Sequence, residues 1–319
     1  MKDIVVIGAA GGYGALNQAC QDAPEMLRTF DFLDQLKQSG ITYSWGGIVH
    51  LQENHADPLL SVAEMCTLLA EKIRETLSVG NFPIVVGGDH SCAMGTWSGA
   101  KSAIDGRLGL IWIDAHMDSH TFQTSKSRAI HGMPLAALLG YGDQRLTHIA
   151  SPFPKLQPED VCLIGVRSFE EDEAKLLKRL GVRVFFMEEI RRRSIDAVLE
   201  EALSIVGRET AGFGVSIDLD ALDPEEEPGV GSPVPGGLLK DELSAALKRL
   251  RGDKHLLAIE VVEYNPYLDR KFATARAISD LLAAMTPSQS TPACRSFSTR
   301  MSMSRSTPPS PISKAKLVR

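Results

Sequence analysis

The stretch "LGLIWIDAHMDSH", residues 108–120, begins as an unbroken apolar run and ends on Asp114, His116, Asp118 and His120. Continuous rather than alternating hydrophobicity marks a strand buried on both faces, as in a parallel sheet covered by helices. The four ionisable residues sit at alternate positions, so a chain that stays extended to residue 120 points them all one way. Carboxylates and imidazoles gathered at the end of a buried strand repel each other or lose hydration at high cost. The arrangement calls for a counter-charge.

Runs of the same kind recur along the chain: "IVVIGA", "YSWGGIV", "PIVVGG", "VCLIGV", "VRVFFM", "FGVSID" and "LLAIEVV". Amphipathic segments such as "SVAEMCTLLAEKIRETL" and "FEEDEAKLLKRL" lie between them. Eight strands alternating with helices predict an α/β fold with a mostly parallel eight-stranded sheet. No linker interrupts the pattern before residue 285, so residues 1–285 read as one domain. Residues 286–319 are rich in Ser, Thr and Pro, carry six Lys/Arg and no acidic residue, and read as a disordered basic tail.

Composition removes several classes. The formal net charge is −6, and the tail's six cations leave residues 1–285 near −12. That balance argues against a nucleic-acid partner. No apolar run reaches the roughly 20 residues that span a bilayer. "MKDIVVIGAAGG" enters a strand at once, without a secretory leader, which predicts a cytoplasmic protein. The five cysteines are scattered with no C-x-x-C pair, as expected of reduced thiols. "VIGAAGGYGALN" lacks the G-x-G-x-x-G spacing of a dinucleotide turn.

Two further strand ends carry the same chemistry as residues 114–120. "PIVVGGDHS" ends on Asp89 and His90, and "GFGVSIDLDALDP" on Asp218, Asp220 and Asp223. In open parallel sheets the ligand site lies beyond the carboxyl ends of the strands, so three strands deliver these groups to one edge. A lone Asp after a strand is an ordinary turn or cap residue, and Asp223 before Pro224 reads that way. The three clusters together read as a site for a pair of divalent cations. An oxygen-rich set with two imidazoles and no thiolate suits Mn²⁺ better than Mg²⁺, Cu or structural Zn.

"GGDHS", "DAHMD" and "SIDLDALDP", extended by "HGMP" at 131 and "EYNP" at 263, resemble the ureohydrolases, the family of arginase, agmatinase and their relatives. The resemblance spans about residues 3–285. It implies a three-layer α/β/α fold and a homo-oligomer, a trimer or hexamer. It also implies two Mn²⁺ per chain: His90 and Asp118 on one, His116 and Asp220 on the other, Asp114 and Asp218 bridging, with Asp89 holding an imidazole. A hydroxide shared by the two ions would attack the guanidino carbon, His131 would relay a proton, and Glu263 would pair with the substrate guanidinium. Asp118 thus counts as both ligand and catalytic residue.

At the far end of the substrate, the resemblance places His120 where arginases use an Asn, and Ser125 and Ser127 where hydroxyls bind an α-carboxylate. Glu170 falls where a carboxylate faces the α-amino group. L-arginine, cleaved to urea and L-ornithine, is the substrate this predicts. Agmatine or another guanidino compound such as guanidinobutyrate stays open because of His120. A non-catalytic metal-binding relative would have lost a ligand or the shuttle histidine, and none is missing.

Overall fold

The apolar runs become the strands, each within three residues of the expected bounds. The computed structural model describes residues 2–287 and places β1 (Ile4–Ala9), β2 (Tyr43–Val49), β3 (Phe82–Gly87), β4 (Arg107–Ile113), β5 (Val161–Val166), β6 (Arg183–Phe186), β7 (Thr210–Asp218) and β8 (Leu256–Val262). They form one sheet in the order β2-β1-β3-β8-β7-β4-β5-β6. Every pairing is parallel, which sharpens the expectation of a mostly parallel sheet. From residue 288 onward the expected tail lies outside the described residues.

The pleat sends alternate side chains of each strand into two separate cores. In β4, Ile111 and Ile113 face one core, with the helices Ile195–Val206, Lys240–Leu247 and Ala273–Met285. Leu110 and Trp112 face the other, with the helices Pro58–Ser78, Ala93–Ser102 and Glu171–Leu180. Three layers result. The helix Pro58–Ser78 shows why its sequence folds so: Asp57 caps it by accepting from the Leu59 amide at 3.0 Å, and Pro58 fills its first position. Its buried residues Val62, Met65, Cys66, Leu69 and Ile73 recur at helical spacing, and each large apolar side chain buried stabilises by about 1.5–3 kcal/mol. Gly214 of β7 is a glycine because Trp97 packs over it; an added Cβ would lie 1.9 Å from the indole.

The strand order decides where the site forms. β3, β8, β7 and β4 are consecutive neighbours at the centre of the sheet, and each ends beside a chemically active residue: His90, Glu263, Asp218 and Asp114. The chain does not stay extended after β4. Asp114–His120 is irregular, and Asp118 adopts a left-handed backbone at φ 47°. The loop, rather than strand alternation, therefore groups these side chains.

One loop residue yields a test of the packing. Glu227, between β7 and the helix Lys240–Leu247, is 5% exposed, and its Oε2 has no hydrogen-bond partner among the described residues. Burial pushes its carboxyl up to about 7, against the pull of the Lys240 cation. The folded chain then keeps a proton that the unfolded chain releases above about 4.3, so this group's contribution to stability falls as pH rises from there to about 7. Glu227→Gln should melt higher than the parent at pH 8 and nearly with it at pH 4.5. Equal melting temperatures at both pH values would show that the carboxylate is solvated.

Candidate active site

The ends of β4 and β7 are built to present carboxylates. Asp218 Oδ1 accepts from the Asp220 amide at 2.8 Å, and Asp114 Oδ1 from the His116 amide at 2.7 Å. Each turn fixes one oxygen and leaves the other facing inward. Arg167, half-buried, braces the second turn through the carbonyls of Asp220, Ala221 and Leu222, and ties it to Val234. Asp223 makes the expected turn, accepting from the amides of Glu225, Gly236 and Gly237.

Among the described residues, two groups bring one ligand atom each to within 4.8 Å of one another: His90, Asp114 and Asp218, and Asp114, His116 and Asp220. Asp114 belongs to both. Its Oδ2 lies 3.3 Å from His90 Nδ1 and its Oδ1 3.5 Å from His116 Nδ1. Asp218 falls in the first group only. Asp118 lies outside both groups, with Oδ2 3.1 Å from His90 Nδ1.

The charges do not balance without cations. His90 Nδ1 faces Asp114, Asp118 and Asp218 at 3.1–3.3 Å, and one N–H cannot serve three carboxylates. Burial, then Asp220 and Asp114, raise the Asp218 carboxyl well above its ordinary value. Burial and the Asp114 charge bring Asp118 up to about 7. Burial opposes a charged His116, yet Asp220 and Asp114 hold its imidazole up to about 12. Four carboxylates and two imidazoles converging on one sheet edge are a donor set that fits a pair of divalent cations.

A further layer supports His90 and Asp114. Trp112 stacks on His90, with centroids 4.1 Å apart, and its Nε1 donates to Asp114 Oδ2 at 2.8 Å. His90 Nε2 lies 3.0 Å from Ser216 Oγ, which donates to the fully buried Glu260 at 2.7 Å. Thr96 and Trp97 also donate to Glu260. Such chains orient a metal-binding imidazole. The sequence reading missed Ser216 and Glu260. Their signal was a single polar residue inside an otherwise apolar strand, "FGVSID" and "LLAIEVV". Asp89 is differently employed from the expectation: it accepts from the amides of Gly14, Ala15 and Ser91, and among the described residues no imidazole hydrogen-bonds to it.

Beside the carboxylates lies a cavity of about 230 Å³ lined by His131, Glu263, His120, Ser127, Glu170 and Glu173 among others. Glu263 sits at φ 64°, a backbone conformation that costs energy outside glycine and places its side chain back over the sheet end. Its Oε1 accepts from the His90 amide at 2.8 Å and faces His131 Nδ1 at 2.9 Å. Burial disfavours the His131 cation, but Glu263 holds the imidazole up to about 9. His120 Nδ1 meets Thr124 Oγ1 at 3.0 Å, while Nε2 lies 3.3 Å from Glu173 and 3.7 Å from Glu170. Glu173 went unread, although a Glu three residues after Glu170 signals the capping box that the two form. Ser125 does not line this cavity; its Oγ accepts from the Arg128 amide at 2.9 Å.

An all-parallel sheet whose central strands end in paired His/Asp groups defines a metal-binding α/β protein. A model of the Arginase family matches residues 2–286. The chain is 38% identical over 292 residues to the arginase of Brevibacillus brevis, covering 89% of this chain and 97% of that protein. It superposes on the crystal structure of arginase from Bacillus cereus with a TM-score of 0.84 at 37% identity, covering 89% and 98% of the two chains. Entamoeba histolytica arginase, solved in complex with L-ornithine, gives 0.82 at 28% identity over the same shares. The chain belongs to the arginase family.

Proposed function

We propose that this chain is a binuclear-manganese ureohydrolase that cleaves L-arginine to urea and L-ornithine. The observation that carries the reading is the pair of His/Asp groups sharing Asp114 at the ends of the central strands β3, β7 and β4, in a chain of this family. His90 and Asp118 would hold one ion and His116 and Asp220 the other, with Asp114 and Asp218 between them. When bound, the two cations supply Lewis acidity that lowers the pKa of water and yields a nucleophile near neutral pH. Glu263 binds the guanidinium and holds its carbon over the cluster. His131, its Nδ1 anchored on Glu263, lines the cavity and would pass a proton to the departing nitrogen.

The ornithine found in the Entamoeba arginase supports an amino-acid substrate, as do His120, Ser127 and Glu170 in the cavity lining. Glu170 would face the α-ammonium, and Ser127 and His120 the α-carboxylate, with Ser125 shaping the Ser127 turn. Residues 1–285 form the catalytic domain, residues 286–319 an appendage to it, and the chain works as a cytoplasmic homo-oligomer, a trimer or hexamer. Among the described residues no helix is long and apolar enough to cross a membrane.

Urea release from L-arginine, agmatine and guanidinobutyrate by the Mn²⁺-loaded protein tests the substrate. Glu170 and Ser127 are exposed, so what agmatine forfeits is the charge-assisted hydrogen bonding to the α-carboxylate, about 1.5–3 kcal/mol, and kcat/KM should favour arginine by roughly 10–100-fold. Glu170→Ala should then damage arginine turnover far more than turnover of guanidinobutyrate, which lacks the α-amino group. A preference for agmatine or guanidinobutyrate would mean that His120 has rebuilt the pocket.

A further inference from the structure

The glycine-rich stretch after β1 lacks the spacing of a dinucleotide turn, and its position in the fold assigns it other work. Residues 10–22 run across the carboxyl end of the sheet as a strap. The Gly11 carbonyl accepts from the Asp89 amide at 2.8 Å, and the Gly14 carbonyl from the amides of Ile130 and His131 at 2.8 and 3.2 Å. The amides of Gly14 and Ala15 donate to Asp89 in return. Glycine is needed for this close approach: a Cβ on Gly12 would lie 2.6 Å from the Gln18 carbonyl oxygen, and one on Gly14 2.9 Å from Ser91.

The strap ends in the short turn Gln18–Asp22, which brings Cys20 Sγ to 3.6 Å from Glu263 Oε2. Both residues are buried, Cys20 at 1% exposed and Glu263 at 4%. Oε1 of Glu263 is already shared by His90 and His131. Among the described residues, Oε2 has the thiol as its hydrogen-bond partner. Burial, and then the Glu263 and Asp89 charges, push the thiol's pKa far up, so it keeps its proton and is a donor, not a nucleophile.

We propose that Cys20 is a positioning residue for Glu263: its S–H fixes the carboxylate that receives the substrate guanidinium. The inference rests on the reading of Glu263 as the guanidinium's partner. Donors from three separate segments then hold the carboxylate: the strap, the turn after β3, and the segment bearing His131. Without the thiol, Oε2 is left buried and unpaired, and the carboxylate can turn toward His131. The guanidinium stays bound from substrate through the barrier, so the loss falls on KM rather than on kcat.

Cys20→Val keeps the side chain's bulk and removes the donor, while Cys20→Ser keeps a donor. In the full, Mn²⁺-loaded chain, the Val variant should raise the KM for L-arginine about 10-fold and change kcat less than about 2-fold. The metal content should not change. The Ser variant should return KM to within about 2-fold of the parent. A second readout does not depend on turnover. The S–H stretching band of Cys20, isolated by difference Raman spectroscopy against Cys20→Val, should lie below that of a thiol without an acceptor and move on Glu263→Gln. A band that ignores Glu263→Gln, or Val and Ser variants that shift KM alike or not at all, overturns the inference. A band that responds, in a protein releasing urea from no guanidino compound, upholds the contact and refutes the ureohydrolase reading instead.

Discussion

Asp114→Asn should cost the protein at least one of its bound cations, and its urea release with it. Asp114 is the one residue common to both His/Asp groups, with an oxygen toward each histidine. The amide keeps the size of the side chain but has one oxygen for two donors, Trp112 Nε1 and the His116 amide, and it removes the negative charge that both sites share. His90 and His116 then face a weaker field, and each cation loses a strong oxygen ligand. The fall in turnover should exceed the roughly 10–100-fold that loss of an outer partner of a metal ligand costs. Elemental analysis after dialysis should find two tightly held ions in the parent and at most one in the variant. An Asn variant holding two ions with near-normal turnover would remove Asp114 from the bridging position.

His131→Ala separates catalysis from metal binding. His131 belongs to neither His/Asp group, and its contact is with Glu263. The variant should keep its cations and lose about 10²–10⁴-fold in kcat, the usual contribution of a positioned acid–base group. The pH profile offers a second check, because the parent's kcat should carry a limb from the His131–Glu263 pair that the variant lacks. A variant that loses metal in proportion to activity, with unchanged turnover per loaded site, would make His131 a structural residue.

The inner strands were legible because they are buried on both faces, which leaves an apolar run with clear ends. The edge strands β2 and β6 are only part-buried and were read from their β-branched and aromatic residues. "IVVIGA", "YSWGGIV", "VCLIGV" and "LLAIEVV" coincide with β1, β2, β5 and β8 residue for residue. The proposed ligands were legible because charge at the end of such a run has no structural use that would explain three clusters at once. What escaped the reading depends on pairs distant in sequence. Glu260 matters through Ser216 and Thr96, and Cys20 through Glu263, 243 positions away. The short helical turns at His90–Cys92, Ile130–Gly132 and Leu219–Ala221 also went unseen, being too brief to show a period. Asp118's left-handed backbone broke the alternation expected after β4.

The place of β8 sets the order in which the molecule can be completed during synthesis. It is the last strand to leave the ribosome, yet it lies between β3 and β7 in the middle of the sheet. A nascent chain that stops short of residue 256 can pair β2-β1-β3 and β7-β4-β5-β6 as two separate halves, each with an open hydrogen-bonding edge where β8 belongs. Such edges recruit other strands, so this interval is the one in which self-association competes with folding. His90 rides on one half and Asp114, His116, Asp218 and Asp220 on the other. The group of Asp114, His116 and Asp220 lies within one half, whereas the group of His90, Asp114 and Asp218 spans both, so the full centre is completed only when the closing strand joins the halves.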